Sequence, residues 1–182
     1  MASGPQAYDE NTTSKLRTFR LPQTMLVSLQ LEARRRGLSV NALVTSILWE
    51  FNDWNRFADR FRFVALGNDL IEAMLSNISD EQIVRIAQTS ENRVIEEGMM
   101  FWRRESGLDG LVSYLNNRCR YAGYGNVMYE RKRKNHVLTI EHGLGKKWSI
   151  YLEYTLNTAL KKLGISAQIE SNENTVTAKF RN

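Results

Sequence analysis

The sequence predicts an α+β chain in two parts. Residues 14–56 hold a short strand and two helices. Residues 57–182 form an α+β domain that ends as hairpin, helix, hairpin around an antiparallel sheet. Three observations carry this. Lys15 to Pro22 is short, basic and alternating, and two stretches of helical periodicity follow it. Trp148, Tyr151, Leu152, Thr155, Leu156, Ala159, Leu160 and Leu163 keep helical spacing. On either side of that helix apolar residues alternate, as Val127 and Tyr129 do before it and Ile165, Ala167 and Ile169 do after it.

Composition narrows the class. The chain has 182 residues, 42% of them hydrophobic, which is enough for a packed core. No apolar run reaches the roughly 18 residues of a membrane span. Residues 1–13 are small and polar without an apolar signal region, so a disordered tail is expected there. The single cysteine, Cys119, makes no internal disulfide, which fits a reducing cytoplasm. The net charge is +5, compatible with a nucleic-acid partner. Between residues 11 and 31 there is no acid, so basic charge collects on the strand and at the end of the first helix.

Pro22 closes the strand, because it donates no ladder bond. Gln23 or Thr24 opens the first helix, with Leu26, Leu29 and Ala33 on one face. Arg34, Arg35 and Arg36 complement the negative end of its dipole as a solvated cap, and Gly37 ends it. Ser39 caps the next helix, where Leu43, Ile47, Phe51 and Trp54 form a stripe that Val44 and Leu48 widen, and the helix is expected to run on through Phe57 and Phe61.

The run Thr18-Phe19-Arg20-Leu21-Pro22, then Leu26, Leu29, Ala33, then Arg36-Gly37-Leu38-Ser39, then Ala42 and Leu43 resembles the ribbon-helix-helix family of DNA-binding modules, the MetJ, Arc and CopG type. The resemblance covers residues 15–52. It implies a homodimer in which two strands pair antiparallel, four helices share one core, and the paired ribbon enters the major groove of double-stranded DNA. Alternate strand residues face opposite ways. Phe19 and Leu21 then face the helices, and Leu16, Thr18 and Arg20 face the bases, where Arg20 can grip a guanine edge. Ser39, Val40 and Asn41 at the start of the second helix offer N–H groups to a phosphate. Arg17 departs from the pattern, since parity places it with Phe19, where the family carries an apolar residue. It is assigned with Lys15 to the phosphate backbone.

Further along, Phe61, Phe63 and Ala65 alternate as a strand would, and Gly67-Asn68-Asp69 breaks the run. Ser79-Asp80-Glu81-Gln82 is a capping box, and a helix with Ile83, Ile86, Val94, Met99 and Trp102 follows, with Gly98 inside it. Leu108, Leu111, Val112 and Leu115 predict another short helix, ended by Gly123-Tyr124-Gly125. A hairpin is predicted with its tip at Arg131-Lys132-Arg133-Lys134-Asn135, and a second turns at Ser171-Asn172-Glu173-Asn174.

Three features beyond the first module have two readings each. The basic tip Arg131, Lys132, Arg133 and Lys134 is an auxiliary DNA contact or a solvated turn. His142, Gly143, Gly145 and Lys146 at a helix start are a ligand or anion site, or a strand-to-helix turn that needs glycine. Tyr114, Tyr121, Tyr124, Tyr129 and Trp148 line a pocket or fill the core, and core packing is the commoner use of such residues.

Only His136, His142 and Cys119 are soft ligands and neither histidine has a second one at helical spacing, so no metal and no cofactor are expected. Catalysis has no motif, and adjacent Glu96 and Glu97 turn to different faces of a helix. The sequence therefore predicts a cytoplasmic, nucleoid-associated transcriptional regulator rather than an enzyme. Its second domain senses a small-molecule effector or assembles dimers into tetramers. The rivals are an architectural or plasmid-partition DNA-binding protein and an antitoxin, the latter disfavoured because the long C-terminal part is aromatic and patterned. An enzyme on a DNA-binding handle needs a deep pocket with perturbed carboxylates.

Overall fold

The computed structural model describes residues 15–58, 63–89 and 107–181. The chain divides into two compact units, one running to Ile47 and one from Leu48.

In the first unit, residues 15–22 belong to neither helix nor strand, and two helices follow, α1 (Gln23–Arg35) and α2 (Val40–Glu50), the latter crossing the division. Proline at position 22 supplies the first helical acceptor, its carbonyl receiving Leu26 N–H at 3.1 Å. At the other end of α1, Gly37 takes φ +66, where a side chain would be strained. Gly37 N–H then bonds Arg34 O at 3.1 Å and Leu38 N–H bonds Ala33 O at 2.8 Å, the paired bonds of a Schellman motif. Ser39 caps α2 as its residue type predicts: its Oγ accepts Ala42 N–H at 3.1 Å.

The second unit begins with the end of α2, which passes into one π-helical turn, Phe51–Asn55, and a last α turn, Arg56–Ala58. Phe61 lies outside the described residues. The strand expected around Phe63 and Ala65 does not form, since residues 63–67 are neither strand nor helix. Phe63 N–H bonds back to Ala58 O at 3.1 Å, and its ring stacks on Trp54 with centroids 5.2 Å apart and planes 4° from parallel. The aromatic residue serves a ring stack rather than a pleat. Gly67 is not a break but the residue before a helix absent from the sequence-based expectation, α3 (Asn68–Ser76).

The capping box forms in full. Ser79 N–H bonds Gln82 Oε1 at 2.8 Å and Gln82 N–H bonds Ser79 Oγ at 3.3 Å, opening a helix (α4) that covers 80–89. Ile83 and Ala87 are buried on it, whereas Val94, Glu96, Glu97, Gly98, Met99 and Trp102 lie outside the described residues. The helix expected to be short runs the whole of Gly107–Ala122 (α5). Its apolar stripe continues from Leu111 and Leu115 to Cys119, which is fully buried, past the polar run Asn116-Asn117-Arg118.

A four-stranded antiparallel sheet completes the unit: β1 (Gly125–Lys132), β2 (Asn135–His142), β3 (Ala167–Ser171) and β4 (Thr175–Arg181), in spatial order β1-β2-β4-β3. Between the hairpins lies α6 (Gly145–Lys162). The expected hairpin, helix, hairpin is present. Register places Tyr129 opposite Leu138, Leu138 opposite Ala178, and Ala178 opposite Ile169 on one face. That face is the buried one; Leu138, Ile140, Val176 and Ala178 are fully covered. Helix α5 packs beside β1, and α6 lies across β3 and β4. The opposite face is polar, with Thr139 and Thr177 hydroxyls 3.2 Å apart and a Lys179–Glu170 ion pair at 2.9 Å.

Gly125 is required where β1 meets the end of β2. A Cβ there would lie 2.2 Å from Glu141 O, far inside van der Waals contact.

Candidate functional site

In the first unit every residue from Lys15 to Pro22 is exposed, so Leu16, Thr18 and Arg20 are free to meet a partner, and Lys15 and Arg17 flank them. Arg17 Nη1 bonds Leu16 O at 3.2 Å, a local contact. Ser39 and Asn41 are exposed at the start of α2 and Val40 is half-buried. The Ser39 hydroxyl oxygen caps the helix, and the N–H groups of Val40 and Asn41 belong to its first turn.

Arg35 and Arg36 are tied to their own helix. Arg35 grips Glu32 with two bonds, at 2.8 and 2.7 Å, and Arg36 Nε donates to the same carboxylate. The Arg35 hydrogen bonds, with those of Arg36, hold the Glu32 carboxyl at about 2. These two arginines serve the helix end, whereas Lys15, Arg17 and Arg20 are exposed on the segment before α1.

Among the described residues of this unit, Ala33 and Leu43 are buried, at 1% and 2% exposure. Phe19 is 71% exposed, Leu31 61%, and Leu21, Met25, Leu26, Val27, Leu38 and Ile47 are exposed with them. Phe19 and Leu21, which the sequence expects to face inward, are both exposed.

In the second unit the loop before α6 is built from internal bonds. Leu144 N–H donates to His142 Nδ1 at 3.3 Å, His142 Nε2 lies 2.9 Å from Ser149 Oγ, and Ser149 Oγ donates to Glu173 O at 3.1 Å. Both ends of this chain are fixed, because an amide N–H only donates and a carbonyl only accepts. The ring is therefore neutral with its proton on Nε2, and burial lowers its pKa from the usual histidine value. This serine and histidine do not form a catalytic pair: Ser149 is fully buried, and Nε2 carries the proton a general base must lack.

The other residues of the expected anion site are also engaged. Gly145 N–H bonds Asn174 Oδ1 at 3.2 Å and Lys146 Nζ bonds Ser171 Oγ at 3.3 Å. Lys147 pairs with Asp80 at 2.9 Å and donates to Ile78 O. Gly143 is exposed. These bonds favour the strand-to-helix turn over an anion site.

At the basic tip, Arg131 and Lys132 belong to β1, and only Arg133 and Lys134 make the turn. All four are exposed, and Lys132 lies 3.3 Å from Glu130. Arg133 takes φ 58, a conformation that costs a side chain about 1 kcal/mol or more.

His136 is buried too, its Nδ1 2.6 Å from Tyr129 Oη and its ring stacked on Phe180. Among the described residues no three metal-ligating side chains come together. No helix among them is long and apolar enough to cross a membrane.

The aromatic residues divide between the two readings. Tyr121, Tyr124 and Trp148 line a cavity of about 400 Å³, together with Trp54, Phe63 and Arg118. Tyr114 and Tyr129 are not part of its wall; the first is buried in the core and the second partly buried against it. Sequence periodicity misses this cavity because Trp54 and Phe63 come from a helix end and an irregular segment.

No family model matches the chain, and no curated protein matches it.

Proposed function

We propose that this chain is a homodimeric, sequence-specific DNA-binding transcriptional regulator of ribbon-helix-helix type. In the dimer, residues 15–22 of two copies pair antiparallel. Phe19 and Leu21 then turn inward onto the helices. Leu16, Thr18 and Arg20 turn outward to the bases of the major groove. Lys15, Arg17 and the start of α2 at Ser39, Val40 and Asn41 hold the phosphates. The second unit, 48–182, acts as sensor or assembly domain, and the tip Arg131–Lys134 adds non-specific phosphate contacts.

The observation that carries this is the uncovered apolar surface of the first unit. With Ala33 and Leu43 the buried residues among those described, the unit has too little core to stand alone. Its helices nonetheless end and begin on well-formed caps at Gly37 and Ser39. A self-complementary partner supplies the missing core, and two-fold pairing brings two copies of a basic alternating segment together. A solvated edge strand explains the charge but leaves Phe19, Leu26 and Leu31 uncovered.

The test is selection of random double-stranded DNA by the full chain, run beside Arg20→Ala, with the mass in solution measured for both. The expected result is a dimer that enriches a short inverted repeat, with enrichment lost in the variant and dimerisation kept. Binding without enrichment would replace this proposal with an architectural role. A monomer, or no binding at low salt, would overturn it.

A further inference from the structure

At one end of the sheet, basic side chains stand together without acids to neutralise them. Arg131, Arg133, Lys134 and Arg181 are all exposed, and among the described residues none of them pairs with a carboxylate. The neighbouring lysines differ: Lys132 lies 3.3 Å from Glu130, and Lys179 lies 2.9 Å from Glu170. Register sets Lys132 opposite Asn135 and Asn135 opposite Arg181, so the tip of the first hairpin stands beside the end of β4. We propose that Arg133, Lys134 and Arg181 form a second nucleic-acid site, which grips the sugar–phosphate backbone of duplex DNA without reading its bases. It takes DNA as the partner, as the proposed function does, but does not depend on the ribbon.

Two observations show that this charge is placed and not merely tolerated. Arg133 takes φ 58 in a two-residue turn, where glycine, asparagine and aspartate are the usual occupants. An arginine there is strained, and strain of this kind collects where function holds it. A turn that only needs solvation is better served by glycine. Arg181 is held in position. Its Nε donates to Asn135 Oδ1 at 3.2 Å, and its two Nη groups have no acceptor among the described residues. A fixed planar fork of this kind suits the oxygens of a phosphate.

The surroundings choose among polyanions. The exposed side of the sheet carries Asn126, Met128, Thr139, Thr177 and Gln168 and no aromatic ring, so the unstacked bases of a single strand find no platform. Between Glu130 and Asn135 there is no aliphatic or aromatic side chain to enter a bilayer. A duplex needs neither, because its phosphates lie on the outside.

The test uses the full chain with the segment before α1 silenced by Lys15→Ala, Arg17→Ala and Arg20→Ala, so that the duplex binding left belongs elsewhere. The probe is a fluorescein-labelled duplex of random sequence, followed by anisotropy from about 20 to about 200 mM salt. The silenced chain is expected to bind it at low salt. Adding Arg133→Gly is expected to weaken binding by about tenfold at about 50 mM salt and to flatten the slope of log affinity against log salt by about 0.9. The same substitution is expected to raise the urea midpoint, so that lost binding is not lost folding. Adding Lys134→Gln and Arg181→Gln as well is expected to abolish binding. Lys161→Gln, which removes an exposed charge on α6, is expected to leave affinity and slope unchanged. No duplex binding by the silenced chain, or an unchanged slope with Arg133→Gly, would overturn the proposal. An equal effect of Lys161→Gln, or tighter binding of a single strand of the same length, would overturn it as well. The ribbon stands or falls separately, on whether the unsilenced chain enriches an inverted repeat.

Discussion

The neutral imidazole of His142 ties the stability of the second unit to pH. It accepts Leu144 N–H on Nδ1 and donates to Ser149 through Nε2, and a second proton would set Nδ1–H against that amide. Burial at 7% exposure also opposes the charge, so its pKa lies below the ordinary 6.5. In the unfolded chain the ring takes up a proton below about 6.5, and the folded ring does so only at lower pH. The unfolded state thus binds more protons, and stability falls as pH falls from about 6.5 toward the lower folded-state value. The full contribution is present above that window. Between about pH 7.5 and about pH 5.5 the linkage cost has an upper bound of about 1.4 kcal/mol, reached by a ring that stays neutral throughout in the folded chain. The assay is urea unfolding at both pH values for the wild type and His142→Asn. The asparagine keeps an acceptor near Leu144 N–H but does not titrate, so subtraction removes the other ionisable groups. The wild type is expected to lose more stability than the variant over this interval, by up to about 1.4 kcal/mol. Equal losses in the two proteins would refute the tautomer assignment.

Two further outcomes follow from backbone geometry. Gly125→Ala is expected to lower stability by about 3 kcal/mol or prevent folding, because the new methyl meets the Glu141 carbonyl rather than a yielding side chain; thermal unfolding by circular dichroism checks it. Arg133→Gly is expected to raise stability by about 1 kcal/mol through relief of the positive φ, read as a higher urea midpoint with the same slope.

Local chemistry made much of the fold legible. Gly37, Ser39 and the Ser79–Gln82 box act through bonds that span only a few residues, so sequence spacing was enough to place them. The hairpins and α6 were legible because one buried face imposes a period of two on the strands and a helical period on the helix. The failures arose where partners are distant. Alternation alone reads Phe63 as a strand residue, because it does not show that the ring stacks on Trp54. Helix α3 escaped because Gly67-Asn68-Asp69 reads as a break, although a glycine in extended conformation precedes the first helical turn. For His142 and Lys146 the residue types alone leave an anion site and a strand-to-helix turn both open. Ser171, Glu173 and Asn174, which occupy those groups, come from the second hairpin about 30 residues away. The cavity is half legible: Tyr121, Tyr124 and Trp148 stand out in the sequence as an aromatic group, but its other walls carry no spacing signal.

Cys119 gives this chain a clock. Its thiol is fully buried on α5, and desolvation pushes it up to about 11, so near neutral pH the folded molecule offers a labelling reagent almost no thiolate. Once the unit opens, the same sulfur returns to an ordinary thiol that titrates near 8.5. With one cysteine in the sequence, the pace of modification belongs to a single known site. It measures how often the packing between α5 and the sheet comes apart, and anything that binds the folded unit alone slows it.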